Sequence, residues 1–558
     1  MQKVLRFIPI LACFLLFLSS CSKPSENSKY IPKDAVGVLS INTSQLVRKV
    51  AWSALTGSPL FKELTKKAGS DSASFDISST GIDIATVFAY AMPDNRLASK
   101  SRFMMVVPLK DAEKFEAFLK KQFPQAKIEA KGDITLATLN ENTAIGWNKK
   151  TAIVAGAATS YEMGSMPNSS RTILAEEVEK TFAMKEDMSL ASNKRFMDLQ
   201  KAGHDIGFFL NYESFATNMP QEEMGQAGMV LASQKKLLKD AFIAGGLDFE
   251  KGKIVGDATY YFNDSVKTIA HALESKSVDN DLLKRMSGSQ MNLMMSYHFN
   301  PQGIKTMAET MGVIVYANSA LKEIGLSMDD VLNAFTGDFL LAVTDFSITT
   351  ESKSYTMNGS SVNYTSPVPT YKACLSFKIK DKAAFDKVMQ AIVKQEILAS
   401  PAPGMYSLGG FATLAANGAY GAVSNDPAVA SAFLVSPGRS DFNIPSDVKN
   451  NPYGFYADIK NSIKSVPLDL LYGKEDTGVF HDARNLLDNI KAYGGKVQDD
   501  HSDFHFELSF QNKDENALMQ LINFTKKVAD AEQRESASFD EVIPDEDTSL
   551  NMVDTAAI

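Results

Sequence analysis

The 558-residue sequence has few of the side chains on which enzyme chemistry and disulfide frameworks depend. Its 3 cysteines cannot supply a disulfide framework for a chain of this length, although an exported chain could form one. The sequence also lacks a Gly-x-Ser-x-Gly elbow, a Gly-Lys-Ser/Thr phosphate loop and a Gly-x-Gly-x-x-Gly fingerprint. We therefore assign no catalytic residue, cofactor or metal ligand from sequence.

Two further absences limit the classes of partner. After residue 20 no apolar run is long enough to cross a bilayer as a helix, for which about 18 or more residues are needed. The net charge is −9, and much of the negative excess falls in residues 532–558. A basic groove for nucleic acid is therefore not expected, and residues 532–558 are predicted to be an acidic disordered tail.

The start of the chain indicates an export signal. An apolar stretch, 7–18, follows two basic residues and has the length of a signal-peptide core. It ends in Leu-Ser-Ser-Cys at positions 18–21, which resembles the lipobox of bacterial lipoproteins. That resemblance implies cleavage after residue 20, acylation of Cys21 by chains such as palmitate, and a tether over residues 21–30. The partner of the N-terminus would then be the membrane, reached through lipid.

The middle of the chain contains pairs of similar segments in the same order. Segments 103–111 and 373–381 each have an apolar strand that ends in Lys-Asp and leads into an amphipathic helix. Asp111 and Asp381 are the predicted N-caps of these helices. A polar insert near 349–370, in the second copy, increases the sequence offset between the paired segments. It has the composition of a long hairpin loop. Weaker pairs are 207–211 with 454–458, and 259–262 with 507–510.

These pairs predict an internally duplicated α+β protein with mainly antiparallel sheets and helices packed on one face. The predicted halves are 31–280 and 285–531. Residues 30–42, a Pro-Lys-Asp-Ala turn followed by a strand, come shortly after the lipobox. With the repeated strand–helix units, they resemble a family of large uncharacterised lipoproteins from Bacteroidetes-type bacteria. The resemblance implies a cell-envelope location and no established activity.

Few residues remain as candidates for chemistry. Residues 499–505 combine carboxylates with two imidazoles, but a hairpin turn leading into a half-exposed strand accounts for them better than a metal site. Cys374 lies in an apolar alternating stretch and is predicted to be a buried or half-buried strand thiol. In strand 291–299 the alternation places Leu293, Met295 and Tyr297 on one side, which we expect to be the core side.

The leading functional hypothesis is a lipid-anchored envelope protein that binds or scaffolds an envelope protein or a glycan without catalysis. The alternative is a hydrolase of glycan or peptide with a site between the two halves, since two spaced carboxylates would suffice for such a site. Anchoring in the outer membrane on the periplasmic face is the preferred location. The residues after Cys21 lack the adjacent acid pair that resembles a surface-export signal, and display on the cell surface is the alternative.

Overall fold

The computed structural model describes residues 25–59, 79–94, 97, 101–157, 167–214, 235–357, 360–435, 442–466 and 477–542. The predicted signal peptide and Cys21 lie outside this part of the chain. The end of the predicted tether does not behave as a tether, because Glu26–Tyr30 forms a 3-10 helix with Asn27, Ser28 and Tyr30 buried. Tyr30 joins a core cluster, so any free linker ends before this helix.

Twenty strands are described, and every pairing between them is antiparallel. In chain order they are β1 Gly37–Asn42, β2 Thr86–Pro93, β3 Ser101–Pro108, β4 Lys127–Lys131, β5 Ile134–Asn140, β6 Thr143–Trp147, β7 Thr151–Ala157, β8 Ile206–Asn211, β9 Phe242–Glu250, β10 Lys253–Tyr261, β11 Met291–His298, β12 Phe335–Met357, β13 Ser360–Ile379, β14 Ala399–Ala402, β15 Met405–Leu408, β16 Ala412–Ala416, β17 Tyr420–Ser424, β18 Tyr453–Asp458, β19 Leu487–Val497 and β20 His501–Phe510.

The described α-helices lie between and after these strands. They are α1 Thr43–Lys49, α2 Trp52–Thr56, α3 Ala112–Gln122, α4 Pro167–Phe182, α5 Lys194–Ala202, α6 Lys235–Leu238, α7 Asp264–Ala272, α8 Asn280–Lys284, α9 Gly303–Thr310, α10 Ile314–Glu323, α11 Met328–Ala334, α12 Lys382–Lys394, α13 Pro427–Val435, α14 Ser446–Lys449, α15 Ile459–Lys464, α16 Thr477–Leu486 and α17 Ala517–Val542. The α+β class and the antiparallel sheet predicted from sequence are therefore confirmed.

The strands form one continuous sheet with two free edges, β4 and β14. From edge to edge the order is β4-β5-β6-β7-β3-β2-β1-β8-β9-β10-β20-β19-β18-β11-β12-β13-β17-β16-β15-β14. From each edge of the sheet toward its centre, strands β1–β10 and strands β11–β20 pair in the same order. The two sets of strands meet where β10 pairs with β20, which we call the junction.

At the junction, β10 and β20 pair as an antiparallel ladder without a register shift. Asp257 in β10 pairs with His505 in β20, and the ladder runs from the Lys253–Ser509 pair to the Tyr261–His501 pair. An offset of 248 residues relates Asp257 to His505, and the similar segments 259–262 and 507–510 are related by the same offset. Because the two strands are antiparallel, Asp257 and His505 are the one pair of partners in this ladder that are also related by that offset.

Helices cover both faces of the outer strands, which corrects the prediction of helices on one face. In β6, Ile145 packs in a cluster with Phe115 of α3, whereas the adjacent Ala144 packs in a cluster with Leu174 of α4. Successive residues of a strand point to opposite faces, so α3 and α4 lie on opposite sides of the sheet. The almost uninterrupted apolar sequence of β6 reflects burial from both sides.

The polar insert and the acidic tail also differ from a simple loop and a simple coil. Residues 349–357 and 360–370 form the outer part of a long hairpin, in which β12 and β13 stay paired as far as Met357 and Ser360. The helix α17 continues to Val542 and therefore passes the predicted start of the tail at residue 532. Residues 543–558 lie outside the described part.

Candidate binding surface

One side of the central sheet is lined by uncharged side chains. Residues paired directly across neighbouring strands lie on the same side of a sheet, so the register identifies the side chains that share a face. Two adjacent rows that run across the sheet to β13 contain no charged residue, and we call the surface they form the apolar face. The first row is Met105, Ala89, Leu39, Phe208, Gly245, Ala258, Phe504, Gly494, Tyr453, Tyr297, Phe339 and Phe377; the second is Val87, Ile41, Ile206, Leu247, Gly256, Phe506, Ala492, Phe455, Met295, Leu341 and Leu375.

Many of the large side chains on the apolar face are open to solvent. Their exposed fractions are well above those of core residues: Leu39 48%, Met105 43%, Met295 40%, Tyr297 46%, Leu375 39% and Phe504 39%. Single exposed apolar residues are ordinary, but contiguous apolar patches larger than a few hundred Å² are uncommon on soluble monomers and mark interaction sites. The apolar face therefore has the character of a binding surface.

A cavity of about 190 Å³ opens on the apolar face at the junction. The small residues Gly256, Ala258 and Ala492, at central positions of β10 and β19, form its floor. The large apolar side chains around this floor are those of Phe208, Leu247, Tyr453, Phe504 and Phe506. The cavity thus results from a local change of side-chain size within an apolar surface.

Helices border the apolar face. On one flank, α3 packs on β3, β6 and β7 through a cluster that contains Val107 and Val154. On the other flank, α12 packs on β12, β13 and β17 through a cluster that contains Phe339 and Phe377. At one end of the strands, α17 contributes Leu518 and Leu521 to a cluster with Ile254 and Leu508. These helices pack on the same side of the sheet as the apolar face, and α12 and α17 contact its margins at Phe377 and Leu247.

The structure reverses the orientation predicted for strand β11. The alternation is as predicted, but Met294, Ser296 and His298 are buried, whereas Met295 and Tyr297 are exposed. The physical reason is that the other side of β11 is covered: Met294 joins a core cluster with Phe433 of α13 and Val448 of α14. Alternation alone cannot identify which side of a strand the helices will cover.

The opposite side of the junction is polar. The Nδ1 atom of His505 lies 2.7 Å from Oδ1 of Asp257, and the His505 ring lies 4.8 Å from the Tyr493 ring between centroids. Nearby, Nδ1 of His204 lies 2.7 Å from Oδ2 of Asp248. This hydrogen bond raises the pKa of His204 above its ordinary value despite partial burial of the ring.

Carboxylates near the junction are held in their ionised form. Burial by itself raises the pKa of Glu507, but a hydrogen bond from Ser509 and the ammonium groups of Lys491 and Lys253, each 3.3 Å away, lower it overall. The described carboxyl groups whose pKa departs clearly from its ordinary value are all shifted downward. They are Asp248, Asp279, Asp330, Asp345, Asp500 and Glu507.

The remaining sequence candidates lie in structural roles. Cys374 is a buried free thiol in β13, as predicted. The carboxylate–imidazole segment 499–505 spans the turn at 499–500 and the first part of β20, where His501 contacts Asp500 and His505 contacts Asp257. Within the described ranges, no group of three or more His, Cys, Asp or Glu side chains is arranged to hold a metal ion. Likewise, none of the described helices is both long and apolar enough to span a membrane.

Sequence reasoning missed the apolar face. Its signal was present as uncharged alternate positions in many strands, for example Phe504 and Phe506 in β20 or Ile206 and Phe208 in β8. Such positions are also the usual sign of a core side. Only the pairing of distant strands places them on one surface, and only the placement of the helices leaves that surface open.

Comparison with known proteins gives a family and no activity. A family model described as a domain of unknown function, DUF4836, matches residues 27–395. No curated protein matches the sequence at a significant level. Part of the chain is similar to solved structures of a protein named TP0453. Crystal form IV is 12% identical and covers 45% of this chain and 85% of that chain, with a TM-score of 0.25. Crystal form III is 10% identical and covers 46% and 90%, also with a TM-score of 0.25.

Proposed function

Since the chain belongs to the DUF4836 family, whose description names no activity, we propose a function from its own surface: a lipid-anchored envelope protein that binds its ligand, without catalysis, on the apolar face. The observation that carries this proposal is the pair of uncharged rows, in which side chains as large as Tyr297 and Leu39 are nearly half exposed. Leaving such a surface in water is unfavourable by roughly 25 cal/mol per Å², so an occupant that covers it would be stabilised.

The N-terminal sequence supports the location that we propose, the cell envelope. The lipobox-like run supports acylation of Cys21 and anchoring in the outer membrane, preferably facing the periplasm. Replacing Cys21 by Ala is expected to leave the protein unprocessed or in the soluble fraction after cell lysis. Retention of the C21A variant in the membrane fraction would overturn the lipid anchor.

The repeated architecture is part of the same proposal. We infer that strands β1–β10 and β11–β20 derive from one duplicated unit, because both sets pair in the same order and the last strand of each set, β10 and β20, pair with each other at the junction. Duplication of a unit with one open sheet side, joined edge to edge through β10 and β20, would produce a continuous apolar face across the centre. This origin accounts for the breadth of the face better than separate evolution of two halves.

Site-specific photo-crosslinking in cells tests the binding surface. A photoreactive amino acid replaces Tyr297 on the apolar face or, as a matched control, Tyr316, which is 77% exposed on α10. Irradiation is expected to give a discrete adduct, of protein or lipid mass, at position 297 and not at position 316. Equal crosslinking at both positions, or none at 297, would mean that the apolar face is not the binding surface.

A further inference from the structure

The long hairpin of β12 and β13 extends beyond its neighbouring strands. On one side β11 pairs with β12 only as far as Thr344, and on the other side β17 pairs with β13 only as far as Cys374. Among the described strands, residues 347–357 and 360–370 therefore pair only with each other, over roughly 33 Å. We call this two-stranded part the arm. Two strands alone are marginally stable in water, and a third strand would stabilise them.

One edge of the arm is open. In an antiparallel ladder, alternate residues direct their backbone N–H and C=O groups toward the partner strand and away from it. The N–H of Ile348 donates to the carbonyl of Ser465, 3.3 Å away, so it points away from β13. Thr350, Ser352 and Ser354 follow at steps of two without a register shift, so their backbone groups point the same way. No described residue bonds to these outward groups, and we call this part of β12 the open edge.

The other edge of the arm is protected against pairing. Pro367 and Pro369 of β13 have no N–H to offer to a further strand. Beside them, the side chain of Asn425 donates to the carbonyl of Tyr371, at 3.0 Å, and accepts from the N–H of Ala373, at 2.8 Å. Proline and capping of this kind are how proteins keep an edge strand from taking a partner. The open edge has neither proline nor a capping side chain among the described residues, so it remains competent to pair.

The charges of the open edge are complementary to those of a second copy. Glu351 and Lys353 are exposed on the same face of β12, with Oε2 and Nζ 3.9 Å apart. If two copies pair antiparallel about a two-fold axis at Ser352, Glu351 of each copy lies directly opposite Lys353 of the other. An axis at either charged residue would instead place like charges opposite each other, which is destabilising. Charge therefore selects one register.

We propose that the open edge is a dimerisation site, at which β12 of one copy pairs antiparallel with β12 of a second copy about a two-fold axis at Ser352. Ser352 then pairs with its own equivalent, and Thr350 pairs with Ser354 in both directions, with two backbone hydrogen bonds for each pair. The two arms form a four-stranded sheet in the order β13-β12-β12-β13. Neighbouring strands cross at roughly 20–25°, so the tip of each arm leaves the plane of the other before it reaches Ser465. The proposal does not depend on the apolar face.

Sedimentation velocity of the purified mature chain tests the dimer. The chain carries Cys21→Ser, so that acyl groups do not associate the copies, and a monomer–dimer equilibrium is expected. Ser352→Pro removes an outward N–H without touching the ladder to β13, and it is expected to weaken dimerisation by about tenfold or more. Thr365→Pro is the matched control, because Thr365 is the ladder partner of Ser352 and its N–H points to the protected edge. Circular dichroism confirms that each variant is folded. A chain that is monomeric at every concentration, or equal effects of the two prolines, would overturn the proposal.

A charge exchange tests the register. Glu351→Lys and Lys353→Glu each place like charges opposite each other twice in the dimer, and each is expected to weaken dimerisation by about tenfold. The double variant E351K/K353E restores opposite charges at both places and is expected to recover the dissociation constant of the parent chain. Double-variant dimerisation no stronger than that of the single variants would contradict pairing about Ser352.

Disulfide formation tests the position of the axis. In the proposed pair the two Ser352 Cα atoms lie about 5.5 Å apart, a separation that a disulfide can bridge. Ser352→Cys, in the Cys21→Ser chain, is expected to form a covalent dimer on mild oxidation, whereas Thr365→Cys is expected to remain monomeric. The remaining cysteine, Cys374, is buried. No covalent dimer of S352C, or a dimer that Phe504→Asp on the apolar face dissociates and S352P does not, would overturn the proposed site.

Discussion

Cys374, in β13, is 3% exposed, and burial raises the pKa of its thiol to about 12. A thiolate is the reactive form of cysteine, so this side chain is unreactive at neutral pH. Its neighbours in the core cluster, such as Met294 and Ala422, are apolar. The sequence prediction of a buried or half-buried strand thiol rests on the alternation around Cys374, and this burial confirms it.

Thiol labelling should therefore depend on folding. In the mature chain with Cys21→Ser, Cys374 is expected to resist iodoacetamide at pH 8 and to react fully in concentrated urea, because only unfolding exposes and ionises it. Mass spectrometry before and after unfolding measures the label. Labelling of the folded protein at the rate of a free thiol would contradict the buried position.

The His204–Asp248 pair makes stability depend on pH. The hydrogen bond to Asp248 raises the pKa of His204, so its stabilising effect is complete below about pH 6.5 and is lost as pH rises through the higher folded-state pKa. Burial alone would raise the pKa of Asp248, but its hydrogen bonds from His204 and the Asp205 N–H lower it. The effect of Asp248 is therefore present above about pH 4 and is lost as pH falls further.

Replacing His204 by Gln tests this window. We expect the loss in free energy of unfolding to be larger at pH 5.5 than at pH 9, with a difference on the order of 1 kcal/mol. Urea denaturation at both pH values measures it, with His481→Gln on the exposed side of α16 as the control. A loss that is equal at both pH values would show that the charged pair contributes nothing.

At the scale of elements, the two strand–helix units show how far a local pattern specifies structure. Asp111 accepts hydrogen bonds from the backbone N–H groups of Glu113 and Lys114, and Asp381 does the same for Ala383 and Ala384. Both helices begin at the residue after the aspartate, as predicted, because the carboxylate satisfies N–H groups that have no partner within the helix.

Removing either cap should have the same moderate effect. Asp111→Ala and Asp381→Ala are each expected to reduce the free energy of unfolding by about 1 kcal/mol, since each loses its cap hydrogen bonds. Chemical denaturation measures both, and Asp133→Ala, in the exposed turn between β4 and β5, is the control. A change no larger than that of D133A would show that the caps do not stabilise these helices.

The long hairpin of β12 and β13 shows the limit of such patterns. The polar composition of 349–370 predicts exposure correctly, but a loop and a paired ribbon have the same composition. The ribbon forms because the pairing of Ala342 with Cys374 in the core continues outward to Thr349 and Val368, with a shift of register at the bulge between Thr344 and Ser347. Extension of an established ladder avoids the entropy of closing a separate long loop.

At the scale of the whole molecule, the C-terminal helix connects the two sets of strands. The α17 cluster contains Phe249 and Ile254 from β9 and β10 together with Phe510 from β20. The side chain of Asn516, just before α17, also donates a hydrogen bond to the carbonyl of Phe249. Burial of this cluster thus reinforces the junction from one end of the strands.

Truncation should separate the contribution of α17 from that of the acidic end. A chain that stops at Gln511 is expected to lose several kcal/mol of unfolding free energy, because three large apolar side chains would become exposed at about 1.5–3 kcal/mol each. A chain that stops at Val542 is expected to match the full-length protein. Denaturant midpoints compare the three, and unchanged stability after loss of α17 would contradict its role at the junction.

The sequence by itself determined the local features: the strand alternation, the capped helices, the polar insert, the buried thiol and the expectation of a lipid anchor at Cys21. Each of these depends on residues close together in the chain. The tertiary structure alone decided which side of each strand is covered, as the reversed orientation of Met294 and Met295 shows. Long-range pairing of β10 with β20 then made one apolar face from strands that are distant in sequence. The candidate binding surface belongs to this second level, because a side chain is exposed or buried according to what packs against it and not according to its own identity.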